Sequence, residues 1–303
     1  MIETSTEFLA HLKQVGESDG ILSNIAYTAL VLASLDRPGV SFQKYEHHLE
    51  ILGLDVAAEK LTKSSATERA RVLAEVLHGR HEYTGNQAFY DDLQNANLMS
   101  VIDTRKGLPV ALSVLYLHAA RLQGWRAEGL RFPGHFLIRL YGATDEIGDQ
   151  VILDPFHDGV VLTARDLREL TQKFSDEDAG LRPDYYEAVS DKEILVRLLN
   201  NIKIRCLKVS DLGQAITVLS RLVMIDPGQI QHHYEMGMLL AHVEQNDLAR
   251  ESLGYCMDHM DHMDQFDQND LMEQQIRNTL TDIEQKDKVK QQSNVLNLHR
   301  DND

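Results

Sequence analysis

The chain has 303 residues, of which 43% are hydrophobic, so it can bury a sizeable core in about two or three domains. Its formal net charge of −17 disfavours direct contact with nucleic acid or an anionic membrane, because an acidic surface repels phosphate groups. Two cysteines make no disulfide framework, and the apolar stretch 21–35 is too short to span a bilayer, so we expect a cytoplasmic protein.

Residues 1–84 are predicted to form an N-terminal layer of helices. Apolar residues recur at helical spacing within residues 21–35, 45–52 and 66–77. The pair Pro38-Gly39 or a single glycine follows each stretch and predicts where that helix ends. We interpret this layer as packing for the domain that follows.

Residues 85–188 predict an α+β core built around one buried helix. Nearly every residue from Val110 to Leu122 is apolar, and a helix that is apolar on all sides must be buried. Pro109 suits the first turn of this helix and Gly124 suits its C-terminal cap. An apolar alternation with period two then predicts strands at residues 127–132, 135–141 and 151–154.

Residues 189–285 predict a helical region with an internal repeat. When the sequence is shifted by 34 residues, Ala215 falls on Ala249 and Leu219 falls on Leu253. A period of this length is typical of tetratricopeptide repeats, in which each unit is a pair of helices. The polar residues 286–303 are predicted to form a disordered tail.

The same shift bears on the two thiols and on possible metal ligands. Cys206 falls on Leu240 and Cys256 falls on Leu222, so we expect both thiols to be buried and unreactive. The stretch 259–264 contains two histidines and two aspartates without regular ligand spacing, so we expect adventitious metal binding there at most. No cofactor and no metal site are predicted.

The strands predict one pairing of titratable groups. The loop 142–149 is centred between residues 145 and 146, so antiparallel partners have numbers that sum to about 291. This register places His135 and Asp154 on one face as diagonal neighbours, roughly 7–8 Å apart and within reach of a hydrogen bond. A carboxylate in that position can orient an imidazole as a general base. The alternative is a purely structural pair.

Four segments of the chain are similar to the bacterial invasion-regulator Sir B family, whose members resemble transglutaminases and carry a tetratricopeptide region downstream. These segments are Asn95-Ala96-Asn97-Leu98, Arg105-Lys106-Gly107-Leu108-Pro109-Val110-Ala111-Leu112-Ser113, Phe132-Pro133-Gly134-His135-Phe136-Leu137 and Ile152-Leu153-Asp154-Pro155-Phe156. The resemblance implies a transglutaminase-like (papain-type) core between the helical layer and the repeats. Residues 234–237 depart from it, since they read Tyr-Glu-Met-Gly where the family usually has Arg-Asp-Arg-Gly.

The resemblance also implies roles for individual residues. In transglutaminase-like enzymes, a cysteine at the start of the central helix attacks an amide with the help of a histidine and an aspartate. His135 matches the histidine, Asp154 matches the aspartate, and the cysteine position falls at or near Pro109. Residues 1–205 contain no cysteine, so we expect the cysteine-dependent reaction to be absent.

Two further residue types near this helix have alternative interpretations. Ser113 lies one turn after Pro109 and is either a substitute nucleophile or a small residue that allows close packing. Arg105 and Lys106 precede the helix and either hold an anion at its N-terminus or form a solvated basic pair.

Two functions from different classes follow from these features. The favoured hypothesis is a non-catalytic regulatory or scaffold protein, a pseudoenzyme that binds an unidentified protein partner through its tetratricopeptide-like region. The alternative is a hydrolase or acyltransferase that uses His135 and Asp154 with a non-cysteine nucleophile such as Ser113. An accessible, ionisable nucleophile beside His135 would separate the two.

Overall fold

The protein forms two compact units, Met1–Arg205 and Cys206–Asp303. The computed structural model describes residues 5–20, 22, 24–61, 64–143, 148–174, 181–260 and 266–300. The boundary predicted at residue 84 lies inside the first unit, because the N-terminal helices pack directly on the central helix. The boundary predicted at residue 188 also lies inside this unit, which extends to Arg205. None of the helices in the described ranges is both long and apolar enough to cross a membrane.

The first unit begins with a helical layer, as the sequence predicts. Its elements are α1 (Ser5–Glu17), α2 (Ile25–Ser34), α3 (Phe42–Ala58), α4 (Ala66–Ala74) and a π-helical turn (Glu75–Arg80). Ser65 and Glu68 form a capping box that starts α4. At Gly53, α3 lies against the side chain of Leu122 at the end of the central helix.

The central helix lies between two short connecting elements and the sheet. The elements in this part are β1 (Thr84–Gly85), α5 (Leu98–Thr104), β2 (Lys106–Gly107) and α6 (Pro109–Leu122). Every residue of α6 from Pro109 to Ala120 is buried, which confirms the prediction made from its all-round apolar sequence. Pro109 is the first helical residue, and Gly124 adopts a left-handed φ of 69° just after the helix.

An antiparallel sheet of five strands, in the order β6-β5-β4-β3-β7, completes the first unit together with α7 (Ala164–Phe174). The strands are β3 (Ala127–Leu130), β4 (Ile138–Tyr141), β5 (Gln150–Asp154), β6 (Val160–Leu162) and β7 (Ala188–Val189). Ile138 pairs with Leu153 and Tyr141 pairs with Gln150, which confirms the predicted register. The predicted start of β4 at His135 is wrong, because Gly134 has a φ of 67° and the chain bends there.

The remaining helices run in sequence from the end of the first unit through the second. They are α8 (Asp191–Lys208), α9 (Leu212–Ile225), α10 (Ile230–His242), α11 (Asn246–His259) and α12 (Phe266–Arg300). α11 begins 34 residues after α9, and α10 ends 34 residues after α8. α12 includes most of the predicted disordered tail, since neither glycine nor proline interrupts residues 266–300.

Candidate functional site

The start of α6 is held by a network of amide groups in the preceding turn. The N–H of Leu108 donates to the carbonyl of Asn95 (2.9 Å). The side chain of Asn95 is buried; it donates to the carbonyl of Phe89 (2.6 Å) and accepts from the side chain of Asn86 (2.9 Å). Pro109 then begins the helix at a position where a missing N–H breaks no intrahelical bond.

His135 lies in the bend before β4, above this helix start. The guanidinium of Arg197 on α8 donates to the carbonyl of His135 (2.6 Å) and to that of Phe132 (3.2 Å). The same guanidinium lies 5.2 Å from the centre of the Phe136 ring. Arg197 therefore fixes the bend and with it the position of the imidazole.

Asp154 ends β5 and caps the short 3-10 turn that follows. Its Oδ1 atom accepts from the backbone N–H groups of Phe156 (3.0 Å) and His157 (3.3 Å). Its Oδ2 atom accepts from His135 Nε2 (2.9 Å) and from His157 Nδ1 (2.7 Å). The predicted His135–Asp154 hydrogen bond is confirmed, and a second imidazole shares the same oxygen.

These hydrogen bonds shift the pKa values of Asp154 and His157. Burial by itself raises the pKa of Asp154, but the hydrogen bonds from His135 and His157 outweigh burial and hold that pKa well below its usual range. The hydrogen bond to Asp154 raises the pKa of His157, although partial burial opposes it. With Nε2 of His135 donating to a carboxylate, Nδ1 is the basic nitrogen of the neutral ring.

His135 and Pro109 line the same small cleft. The cleft has a free volume of about 30 Å³ and is lined by Tyr90, Pro109, Val110, Gly134, His135, Phe136, Arg197 and Asn201. Such a volume admits water. The side chain of His135 is 5% exposed, so an amide substrate requires the lining side chains to move before it can reach the imidazole.

The buried histidine–aspartate pair lies above the start of the central helix, beside the antiparallel sheet. Residues 43–200, slightly more than half of the chain, match the family model described as the transglutaminase-like superfamily. The chain belongs to the transglutaminase-like superfamily.

Relatives of this transglutaminase-like protein occur in bacteria and in animals. The UPF0162 protein of Xylella fastidiosa is 28% identical over 237 residues, which cover 75% of this chain and 80% of the relative. The UPF0162 protein of Vibrio cholerae is 23% identical over 214 residues, covering 70% and 78% of the two chains. F-box only protein 21 of mouse is 31% identical over 131 residues, 42% of this chain but 20% of that protein.

Ser113, the alternative nucleophile, lies inside the core of the transglutaminase-like unit. Its side chain is fully buried, and its Oγ atom has no hydrogen-bond partner among the described residues. It does not line the cleft in which His135 lies. The interpretation as a packing residue therefore fits its position better than the interpretation as a nucleophile.

Arg105 and Lys106 point to different surroundings. Arg105 ends α5 in a left-handed conformation (φ 62°), and its guanidinium donates to His48 Nε2 (2.8 Å) and to the hydroxyl of Tyr83. It lies 4.9 Å from the centre of the Tyr83 ring. Lys106 is exposed in β2. The structure thus places Arg105 in an internal cluster, so anion binding by this pair stays a prediction without a supporting contact.

Sequence reasoning missed His157 and the row Arg197, Asn201 and Arg205 on α8. The spacing of four residues between the members of this row was a signal for one polar helix face. Arg205 donates to Asn201 and to the carbonyl of Tyr90 (3.2 Å), so the row spans the edge of the cleft. His157 lies between Asp154-Pro155 and Asp158-Gly159, two turn signals that could have indicated that the chain folds back here towards Asp154.

The second unit holds the two thiols. Cys206 and Cys256 are both buried, which confirms the burial predicted from the repeat, while their lack of reactivity stays a prediction. Burial raises the pKa of Cys256 to about 12. His259 stacks on Tyr255 with ring centres 4.0 Å apart. The other residues considered for adventitious metal binding, 261–264, lie outside the described residues.

Proposed function

We propose that this chain is a non-catalytic regulatory or scaffold protein that acts through contacts with another protein. One observation carries the proposal. Pro109, which has neither a nucleophilic atom nor an N–H group, lines the cleft beside His135 at the start of α6. Acyl transfer needs a nucleophile within hydrogen-bond reach of its base, and a donor for the developing oxyanion.

The protein-binding part of the proposal concerns the C-terminal helices. Their bounds repeat with a period of 34 residues, and Leu219 and Leu253 are buried at equivalent positions. This supports the assignment of tetratricopeptide-like repeats and the resemblance to the Sir B family. Residues 206–303 contain seventeen acidic and eight basic residues, so the partner is expected to present lysine and arginine.

The rival is a hydrolase or acyltransferase, and the intact His135–Asp154 pair favours it. The pair has the orientation of a general base and its carboxylate, at 2.9 Å. A water molecule in the cleft or Ser113 would then be the nucleophile. The rival requires the cleft to open and, for Ser113, the core to rearrange.

The first experiment tests whether Pro109 occupies the position of the nucleophile beside His135. The substitution Pro109→Cys places a thiol at the start of α6, and its rate of reaction with iodoacetamide is measured as a function of pH. We expect iodoacetamide to alkylate the thiol of Pro109→Cys rapidly, because the imidazole of His135 stabilises the thiolate. The reaction should be slower in the double variant that also carries His135→Ala, because this stabilisation is lost. If the rate is independent of His135, Pro109 does not occupy the nucleophile position.

The second experiment separates binding from catalysis. The full chain serves as bait for quantitative mass spectrometry, alongside Leu248→Lys in the second unit, Leu54→Lys as an exposed control in the first, and His135→Ala. We expect one partner that is lost in Leu248→Lys and at high salt but is retained in Leu54→Lys and His135→Ala. Amide or ester turnover that disappears in both Ser113→Ala and His135→Ala, with folding intact, would instead establish the rival.

A further inference from the structure

Three atoms that bind metals converge where β5 ends. One potential ligand atom from each of His135, Asp154 and His157 lies within 4.8 Å of the other two. Asp154 Oδ2 is in direct contact with His135 Nε2 and with His157 Nδ1. We propose that these three side chains form a binding site for a divalent transition-metal ion of the zinc or iron(II) type. This inference does not depend on whether the protein is catalytic.

The two distances from Asp154 to the imidazoles fit such an ion with small adjustments. Tetrahedral coordination at about 2.0–2.2 Å from each ligand atom separates neighbouring ligand atoms by roughly 3.3 Å. Asp154 Oδ2 lies 2.9 Å from His135 Nε2 and 2.7 Å from His157 Nδ1. An ion therefore requires each imidazole to move away by about half an ångström, which small side-chain rotations supply. Each ring would place its proton on its other nitrogen and present a lone pair to the ion.

The surroundings hold the ligands in the way that metal sites require. Oδ1 of Asp154 is occupied by two backbone N–H groups, so the carboxylate is oriented to offer Oδ2 as a single ligand atom. Arg197 holds the backbone carbonyl of His135. These contacts do not involve the atoms that would bind the ion, so they persist when it binds.

Burial leaves one side of the site open. The side chains of His135 and Asp154 are 5% and 1% exposed, whereas that of His157 is 47% exposed. An ion can enter from the side of His157, and its fourth position would face solvent. Two imidazoles and one carboxylate with an open position match zinc and non-haem iron(II), whereas magnesium and calcium prefer oxygen ligands.

Metal titration of the chelator-treated full chain tests the proposal. We expect wild-type protein to bind one equivalent of Co²⁺ with visible absorption bands of a four- or five-coordinate site, and Zn²⁺ to displace the Co²⁺. His157→Asn keeps a side-chain N–H that can donate to Asp154 but is a poor ligand, so it should lower the affinity about 100-fold or more. His47→Ala, which removes an exposed histidine elsewhere, should bind like wild type.

Two results would overturn the proposal. One is that wild type and His157→Asn bind the metal with equal stoichiometry and affinity, which would assign the bound metal to other histidines. The other is wild-type protein without the visible bands and without a bound equivalent at micromolar metal. If His157→Asn is not folded by circular dichroism, His157→Gln and His135→Gln replace it, with the same criteria.

Discussion

Asp154→Asn is the most direct perturbation of the site. The substitution keeps an oxygen that can accept from the N–H groups of Phe156 and His157, as asparagine does at helix N-caps. It replaces the buried Oδ2 atom by an amide group that donates. Two charge-assisted hydrogen bonds, from His135 at 2.9 Å and from His157 at 2.7 Å, are therefore lost.

The expected loss of stability follows from these two bonds. A hydrogen bond to a charged group contributes about 1.5–3 kcal/mol, so the two together contribute about 3–6 kcal/mol. Because either imidazole can change tautomer and accept from the new amide, part of the loss is recovered. We expect the free energy of unfolding of the first unit to fall by about 3 kcal/mol.

Urea unfolding followed by tryptophan fluorescence measures this change in the first unit alone. Trp125 is the single tryptophan, is 8% exposed and lies in that unit. The measurement is made with a chelator present, and Asp184→Asn, which removes an exposed ion pair with Arg182, serves as control and should change stability by less than about 1 kcal/mol.

Acid provides an independent check of the same reasoning. Since the native pKa of Asp154 is depressed, its contribution is present above the unfolded-state pKa of about 4 and is lost as pH falls below that value. The difference between wild type and Asp154→Asn should therefore grow from pH 7 to pH 5, as His157, whose pKa Asp154 raises, becomes protonated, and it should shrink below pH 4. A variant within about 0.5 kcal/mol of wild type at pH 7 would refute a charged Asp154 bonded to two imidazoles.

Ser113→Ala should raise the urea midpoint and increase the free energy of unfolding by about 1 kcal/mol, because it removes a buried hydroxyl that has no hydrogen-bond partner among the described residues. A destabilised variant would instead reveal a hydrogen bond to that hydroxyl. His48 should titrate in NMR spectra near pH 4, because burial and then Arg105 lower its pKa. Since the unfolded chain takes up this proton near pH 6.5, stability should be full above that pH and fall by roughly 2 kcal/mol towards pH 4; a midpoint near 6.5 would contradict this. Cys256 should resist mild alkylation in the native protein, and rapid labelling would count against the repeat alignment.

Much of the fold could be predicted because it depends on patterns within short segments. The apolar residues of α6 require burial on all sides whatever surrounds them. The loop length between β4 and β5 sets their register, and that register brings His135 and Asp154 to one face of the sheet. Absence of cysteine in residues 1–205 is likewise a property of the sequence alone.

Only the tertiary structure decided what surrounds these two residues. Asp158 and Gly159 both adopt left-handed conformations, and the turn they end brings His157 back to the carboxylate of Asp154. Arg197 reaches the carbonyl of His135 across 62 positions in sequence. Arg105 turns away from the start of α6 towards His48. Backbone dihedrals of single residues and contacts between distant segments set these positions, and neither is encoded in hydrophobic periodicity.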